Sequence, residues 1–114
     1  MTLKTSTRLR DNVVIVDIVG ELRLGDGTGV LRDVVRDTVA QGYKNLLLNL
    51  GSVRHIDSAG VGELMSCFTS VRNQGGHLKL MNLNKNVHNL LQITKLYTIF
   101  EVPEDEESAI RSYP

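Results

Sequence analysis

Apolar residues recur along this chain with two periods, and the switches between them lay out its elements. Residues 3–10 (LKTSTRLR) alternate weakly and predict an exposed first strand, and Asp11-Asn12 supplies a tight turn. Residues 13–19 (VVIVDIV) are β-branched and nearly all apolar, as in a strand buried on both faces. The stretch from Gly20 to Gly29 holds four glycines and predicts a loop. Val30, Leu31, Val34, Val35, Thr38 and Val39 follow at helical spacing, with Asp26 or Thr28 as cap and Gly42 just past the end. Residues 45–50 (NLLLNL) predict another buried strand. A loop over 51–57 then leads to a second helix that starts near Asp57-Ser58, buries Val61, Leu64, Met65, Phe68 and Val71, and ends at Gly75-Gly76. Residues 77–83 (HLKLMNL) alternate as a strand. Asn84 caps a third helix through Val87, Leu90, Leu91 and Thr94, residues 97–102 (YTIFEV) predict a short edge strand, and 104–112 a final helix.

The resulting order is ββαβαβαβα. Strands alternating with helices define an α/β protein with a small mixed, mainly parallel β-sheet, helices mainly on one face and an antiparallel edge from the first hairpin. The 114 residues fit one domain, 1–114. Two Phe, three Tyr and no Trp make the core aliphatic and leave no platform for stacking bases. Thirteen basic and thirteen acidic residues cancel, so neither nucleic acid nor an anionic membrane is favoured as a partner. The cancellation hides a gradient, because five of the acids lie between Glu101 and Glu107. That segment is expected to be solvated, or to screen a mildly basic face of the rest. No apolar run approaches a membrane span, residues 1–11 lack the apolar stretch of a secretory leader, and the lone Cys67 excludes an intramolecular disulfide. A cytoplasmic protein is expected. With so few aromatics to build a large apolar interface, a monomer is expected.

The chemistry concentrates in 45-NLLLNLGSVRHIDSAGVGEL-64. Asp57 or Ser58 takes the N-cap of the second helix, where a side-chain oxygen accepts free backbone N–H groups. Ala59, Gly60 and Gly62 keep the first turn bare, so a partner surface can approach the backbone and the Ser58 hydroxyl. The competing reading is an ordinary cap with small residues for helix–strand packing. His55, three residues before Ser58, is a loop histidine facing solvent or a contact for a phosphate. Gly25-Asp26-Gly27-Thr28-Gly29 matches no phosphate-binding motif and lacks the lysine of a P-loop. His55, His77, His88 and Cys67 have no metal-ligand spacing. Asp-Ser-Ala-Gly is not the serine-hydrolase elbow, so an enzyme is not expected and no cofactor is implied. Lys79, Lys85 and Lys95 are expected in solvent.

The motif Ile56-Asp57-Ser58-Ala59-Gly60-Val61-Gly62 after a short aliphatic strand resembles the STAS domain of bacterial anti-sigma factor antagonists. VVIVDIVGEL, LRDVVRDTVAQGYKNLLLNL and GGHLKLMNLNKNVHNLLQITKLYTIFEV resemble further segments of that family in the same order, covering nearly the whole chain. The resemblance implies a regulatory binding module. It would bind an anti-sigma factor with serine kinase activity while unphosphorylated, release it on phosphorylation of Ser58, and be restored by a serine phosphatase. Asp57, Ser58, Ala59, Gly60, Val61 and Gly62, together with His55 and Asp26, are the expected partner-binding residues. Two positions depart from the family: Ala59 stands where Ser or Thr is frequent, and Arg23 where many members carry Asp. The alternatives are a STAS scaffold or phosphorelay adaptor with a target other than a sigma factor, and a nucleotide-binding module.

Overall fold

Four strands and four helices form in the order β1 (Leu3–Arg10), β2 (Val13–Leu22), α1 (Asp26–Ala40), β3 (Asn45–Ile56), α2 (Ser58–Asn73), β4 (His77–Met81), α3 (Lys85–Thr94) and α4 (Glu106–Arg111). These are the elements of a computed structural model that describes residues 3–114, apart from the side chain of Asp26. The sheet order is β1-β2-β3-β4. β1 is antiparallel to β2 through a two-residue turn in which Asp11 takes a left-handed φ of 55°. β2, β3 and β4 run parallel. The class is therefore the expected mixed α/β.

β2 is apolar at consecutive positions because both of its faces are covered. Val14, Val16 and Ile18 join Leu46, Leu48, Leu50, Leu78 and Leu80 beneath α1, α2 and α3. Val13 and Ile15 face the other way, where Leu47 and Met81 meet Ala109 and Ile110 of α4. Three helices thus lie on one face and the short α4 on the other. Met65 and Phe68 pack at the border of the main core, and Phe68 meets Phe100 edge to face at 5.3 Å. No helix among the described residues is long and apolar enough to cross a membrane.

Three boundaries differ from the sequence pattern. β2 and β3 run on to Leu22 and Ile56, paired through two register irregularities, so residues 51–56 are strand where a loop is expected. α1 begins at Asp26, which leaves only Arg23–Gly25 between it and β2. Gly27 therefore sits in its first turn, where a Cβ would lie 2.6 Å from the Glu21 carbonyl oxygen. That close contact overrides glycine's poor helix propensity. Finally, residues 97–102 form no strand. Lys95 ends α3 in a left-handed conformation, Leu96–Thr98 make a 3-10 turn, and the Phe100 N–H bonds back to the Leu96 carbonyl. One sheet-like bond remains, from the Leu80 N–H to the Glu101 carbonyl at 3.1 Å, and Pro103 has no N–H to continue it.

The acid-rich segment screens a basic strand. Glu106 accepts hydrogen bonds from Arg8 and Arg10 of β1, both at 2.7 Å, and Glu107 pairs with Arg10. Arg8 also reaches Asp17 of β2 at 2.8 Å. Asp105 caps α4 by accepting from the Ser108 N–H at 2.8 Å. Lys79 is not solvated but 7% exposed. Its Nζ donates to the Ser112 hydroxyl at 2.7 Å and carbonyl at 3.1 Å, pairs with Glu101 at 2.7 Å and lies over the Tyr113 ring. The Tyr113 hydroxyl in turn donates to the Leu46 carbonyl.

Two outcomes are expected. Ile110→Ala should lower unfolding stability by about 2–4 kcal/mol in urea titration, because it uncovers the second face of the sheet. The second concerns acid. Hydrogen bonds from Arg8 hold the Asp17 and Glu106 carboxyls below the ordinary range, and the backbone N–H of Gly60 does the same for Asp57. Each of these groups takes up its proton less readily folded than unfolded. Their contribution is therefore full above the unfolded value of about 4 and is lost as pH falls through the lower folded values. The urea midpoint should stay level from about pH 7 to about pH 5 and drop below about pH 4. Glu106→Gln should make that drop shallower, and a midpoint that rises on acidification would contradict the network.

Candidate functional site

The carboxyl ends of β2 and β3 place two chain segments side by side. One is the short loop Arg23–Gly25, and the other is the entry to α2. Asp57, not Ser58, is the cap of α2. Its Oδ1 accepts from the Gly60 N–H at 2.8 Å, as an N-cap carboxylate should. Its Oδ2 accepts from the Leu24 N–H at 3.2 Å. One carboxylate thereby fastens the helix start to the loop that follows β2.

With Asp57 as cap, Ser58 is the first helical residue. Its side chain is exposed, and its hydroxyl makes no hydrogen bond among the described residues. It stands at the positive end of a sixteen-residue helix.

The remaining expected contact residues divide by orientation. Gly62 is exposed and has open space around it, and Ala59 is half-buried. Gly60 and Val61 are buried. A Cβ on Gly60 would lie 2.2 Å from the Leu22 carbonyl oxygen and 2.8 Å from Ile56 Cγ1. The absent side chain at 60 therefore admits β2, not a partner, and Val61 packs inward. Both belong to the support of the site, and the outward surface falls to Ser58, Ala59 and Gly62 with the rim of Asp57. Asp26 begins α1 beside the loop, and its side chain lies outside the described part of the structure.

His55 is exposed as expected, but on a strand. It pairs with Glu21 of β2, and its Nε2 is 3.8 Å from Glu21 Oε2. Arg23 Nη1 lies 3.7 Å from the other oxygen of the same carboxylate. Leu24 went unnoticed in the sequence, where it reads as one apolar residue in a polar, glycine-rich stretch. It is 80% exposed, more than any other large apolar side chain described. Cys67 lies elsewhere, buried against Glu63, where desolvation pushes its thiol up to about 12. Among the described residues no three His, Cys, Asp or Glu side chains gather as a metal site requires.

Comparison with known proteins identifies the family and the fold. The STAS domain family model matches residues 4–109. The anti-sigma-B factor antagonist of Bacillus subtilis is 31% identical over 111 residues, covering 97% of this chain and 100% of that protein. The crystal structure of a Thermotoga maritima protein described as a candidate anti-sigma factor antagonist superposes with a TM-score of 0.87 at 25% identity, over 96% of this chain and 93% of that one. Bacillus SpoIIAA in its phosphorylated form shares the fold, with a TM-score of 0.72 at 19% identity over 95% and 98% of the two chains. The chain belongs to the STAS-domain family of anti-sigma factor antagonists, which are regulatory proteins rather than enzymes.

Proposed function

We propose that this protein, acting as a single domain over 1–114 in the cytoplasm, binds an anti-sigma factor with serine kinase activity. It does so while Ser58 is unmodified, and so releases the sigma factor. Phosphorylation of Ser58 ends the binding and a serine phosphatase restores it. The observation that carries this reading is that Asp57 performs the capping, which leaves the Ser58 hydroxyl exposed and without structural duty. The family supports the choice of partner, since the Bacillus subtilis relative is an anti-sigma-B factor antagonist.

The arrangement suits a switch that works without unfolding. A phosphate on Ser58 adds a charge of about −1.5 to −2. The helix N-terminus tolerates that charge, because free N–H groups and the dipole favour an anion there. A partner seated over Ala59 and Gly62 meets a bulky, hydrated group instead of a small hydroxyl. The neighbouring Asp57 carboxylate adds to the negative field at the contact.

The first test is incorporation of phosphate from ATP by the cognate kinase. Wild type should be labelled and Ser58→Ala should not. Ser58→Ala should also melt within about 0.5 kcal/mol of wild type, as for a surface change outside the cap. Ser58→Glu should fold normally and bind the kinase more weakly. Equal labelling of Ser58→Ala would move the acceptor to Ser52, Ser66, Thr69 or Ser70. A second test separates support from contact. Gly60→Ala should destabilise by about 1–3 kcal/mol, because its methyl collides with the Leu22 carbonyl. Gly62→Ala, in open space within the helix, should be neutral or stabilising by up to about 1 kcal/mol. Thermal melts of the two variants check the difference.

A further inference from the structure

The loop between β2 and α1 holds its most apolar residue outward and fixed. The Leu24 N–H is bonded to Asp57, and the Thr28 N–H returns to the Arg23 carbonyl at 3.2 Å, so the three-residue connection is tied on both sides. A leucine that is 80% exposed on a tethered backbone covers nothing in its own domain. Beside it, the Arg23 side chain is about half exposed, at 52%. Its 3.7 Å approach to Glu21 is too long for a hydrogen bond, and among the described residues its guanidinium donates none. Glu21 itself is 15% exposed and lies between Arg23 and His55. Its carboxylate lies 3.7 Å from Arg23 Nη1 and 3.8 Å from His55 Nε2, and Arg23 is the half-exposed cation of this rim.

We infer that Arg23 and Leu24 form the specificity-determining contact of the Ser58 surface. They fit an apolar socket on the anti-sigma factor that is rimmed by at least one carboxylate. The inference rests on the proposed partner and goes beyond it in stating what the partner's face must carry. Leu24 enters the socket with its backbone already ordered by Asp57, so little freedom is lost on docking. Arg23, whose guanidinium donates no hydrogen bond among the described residues, pairs with the rim carboxylate at the contact. The same chemistry sharpens the switch, since a carboxylate drawn to Arg23 in the unmodified protein is repelled by a phosphate on the adjoining Ser58.

The experiment is a binding titration of the full chain against the purified anti-sigma factor kinase of the same host, with phosphate incorporation measured in parallel. Leu24→Asp should weaken binding by about 30-fold or more, as at a hot spot. Leu24→Ala should fall between it and wild type. Arg23→Glu should lower the association rate by about 10-fold and abolish the loss of rate that wild type shows as salt rises from about 50 to about 500 mM. Leu9→Asp, a control exposed on β1, should bind within about twofold of wild type, as a rim-free surface change does. All four variants should melt with wild type, because neither residue at the loop is buried. If wild type binds and is labelled at Ser58 while Leu24→Asp and Arg23→Glu bind as tightly, this inference is overturned and the proposed function stands. An equal loss in Leu9→Asp also overturns it. If wild type neither binds nor is labelled, both fall together.

Discussion

The start of α2 depends on a single carboxylate that serves two stretches of backbone at once. Asp57 receives the Gly60 N–H with one oxygen and the Leu24 N–H with the other. The first bond begins the helix, and the second joins it to the chain leaving β2. Both require β2 and β3 to extend together to Leu22 and Ile56, which brings the Leu22 carbonyl against the helix at position 60. Only glycine fits there. Removing the carboxylate would free the helix entry and the loop at the same moment, and the two surfaces that flank Ser58 would lose their relation to one another. Because capping falls to Asp57, Ser58 needs no role in stability, and its chemistry is open to other use.

On the opposite face, a six-residue helix covers strands that would otherwise meet water. Apolar contact through Ala109 and Ile110 is its main hold. The ion pairs from Arg8 and Arg10 set its direction more than they set its strength, since exposed pairs contribute little each. Arg8 sits at one end of a polar row that crosses the sheet. Asp17 accepts from Arg8 and from the Asn49 amide at 2.8 Å, and Asn49 accepts from Asn82 at 3.0 Å. β1, β2 and β3, with Asn82 just past β4, thus contribute to one chain of hydrogen bonds on this face, which pins the register where apolar side chains alone would allow slippage.

Much of this was legible along the chain because the signals are local. The β-branched run of β2, the heptad-like spacing of α2 and the Asn84 cap, which accepts from the Val87 N–H at 2.9 Å, all sit where periodicity and cap chemistry put them. The features that were not legible depend on contacts between distant residues. The extension of β3 past Leu50 is a pairing with β2 and leaves no mark in its own composition. Gly27 and Gly60 read as loop or interface glycines, whereas each makes room for a carbonyl of β2. The edge strand over 97–102 had the right composition, but the left-handed turn at Lys95 and Pro103 beyond it confined the sheet bonding. At the candidate site, the motif brought out Asp57 and Ser58 but not which of them caps the helix. Leu24 escaped because a lone leucine has no period, and its significance lies in exposure.

Lys79 ties together parts of the chain that have no other reason to vary in step. Its Nζ reaches Glu101 before α4 and Ser112 after it, so this one side chain is satisfied from both ends of the C-terminal segment. A relative that ends before the counterpart of Ser112 would leave a buried cation with Glu101 alone and two of its acceptors missing, and burying an incompletely satisfied charge is unfavourable. Natural variation should therefore show the two as a unit. Lineages that lose the terminal turn should replace the lysine in β4 by an aliphatic residue, and those that keep the lysine should keep an oxygen-bearing terminus to receive it.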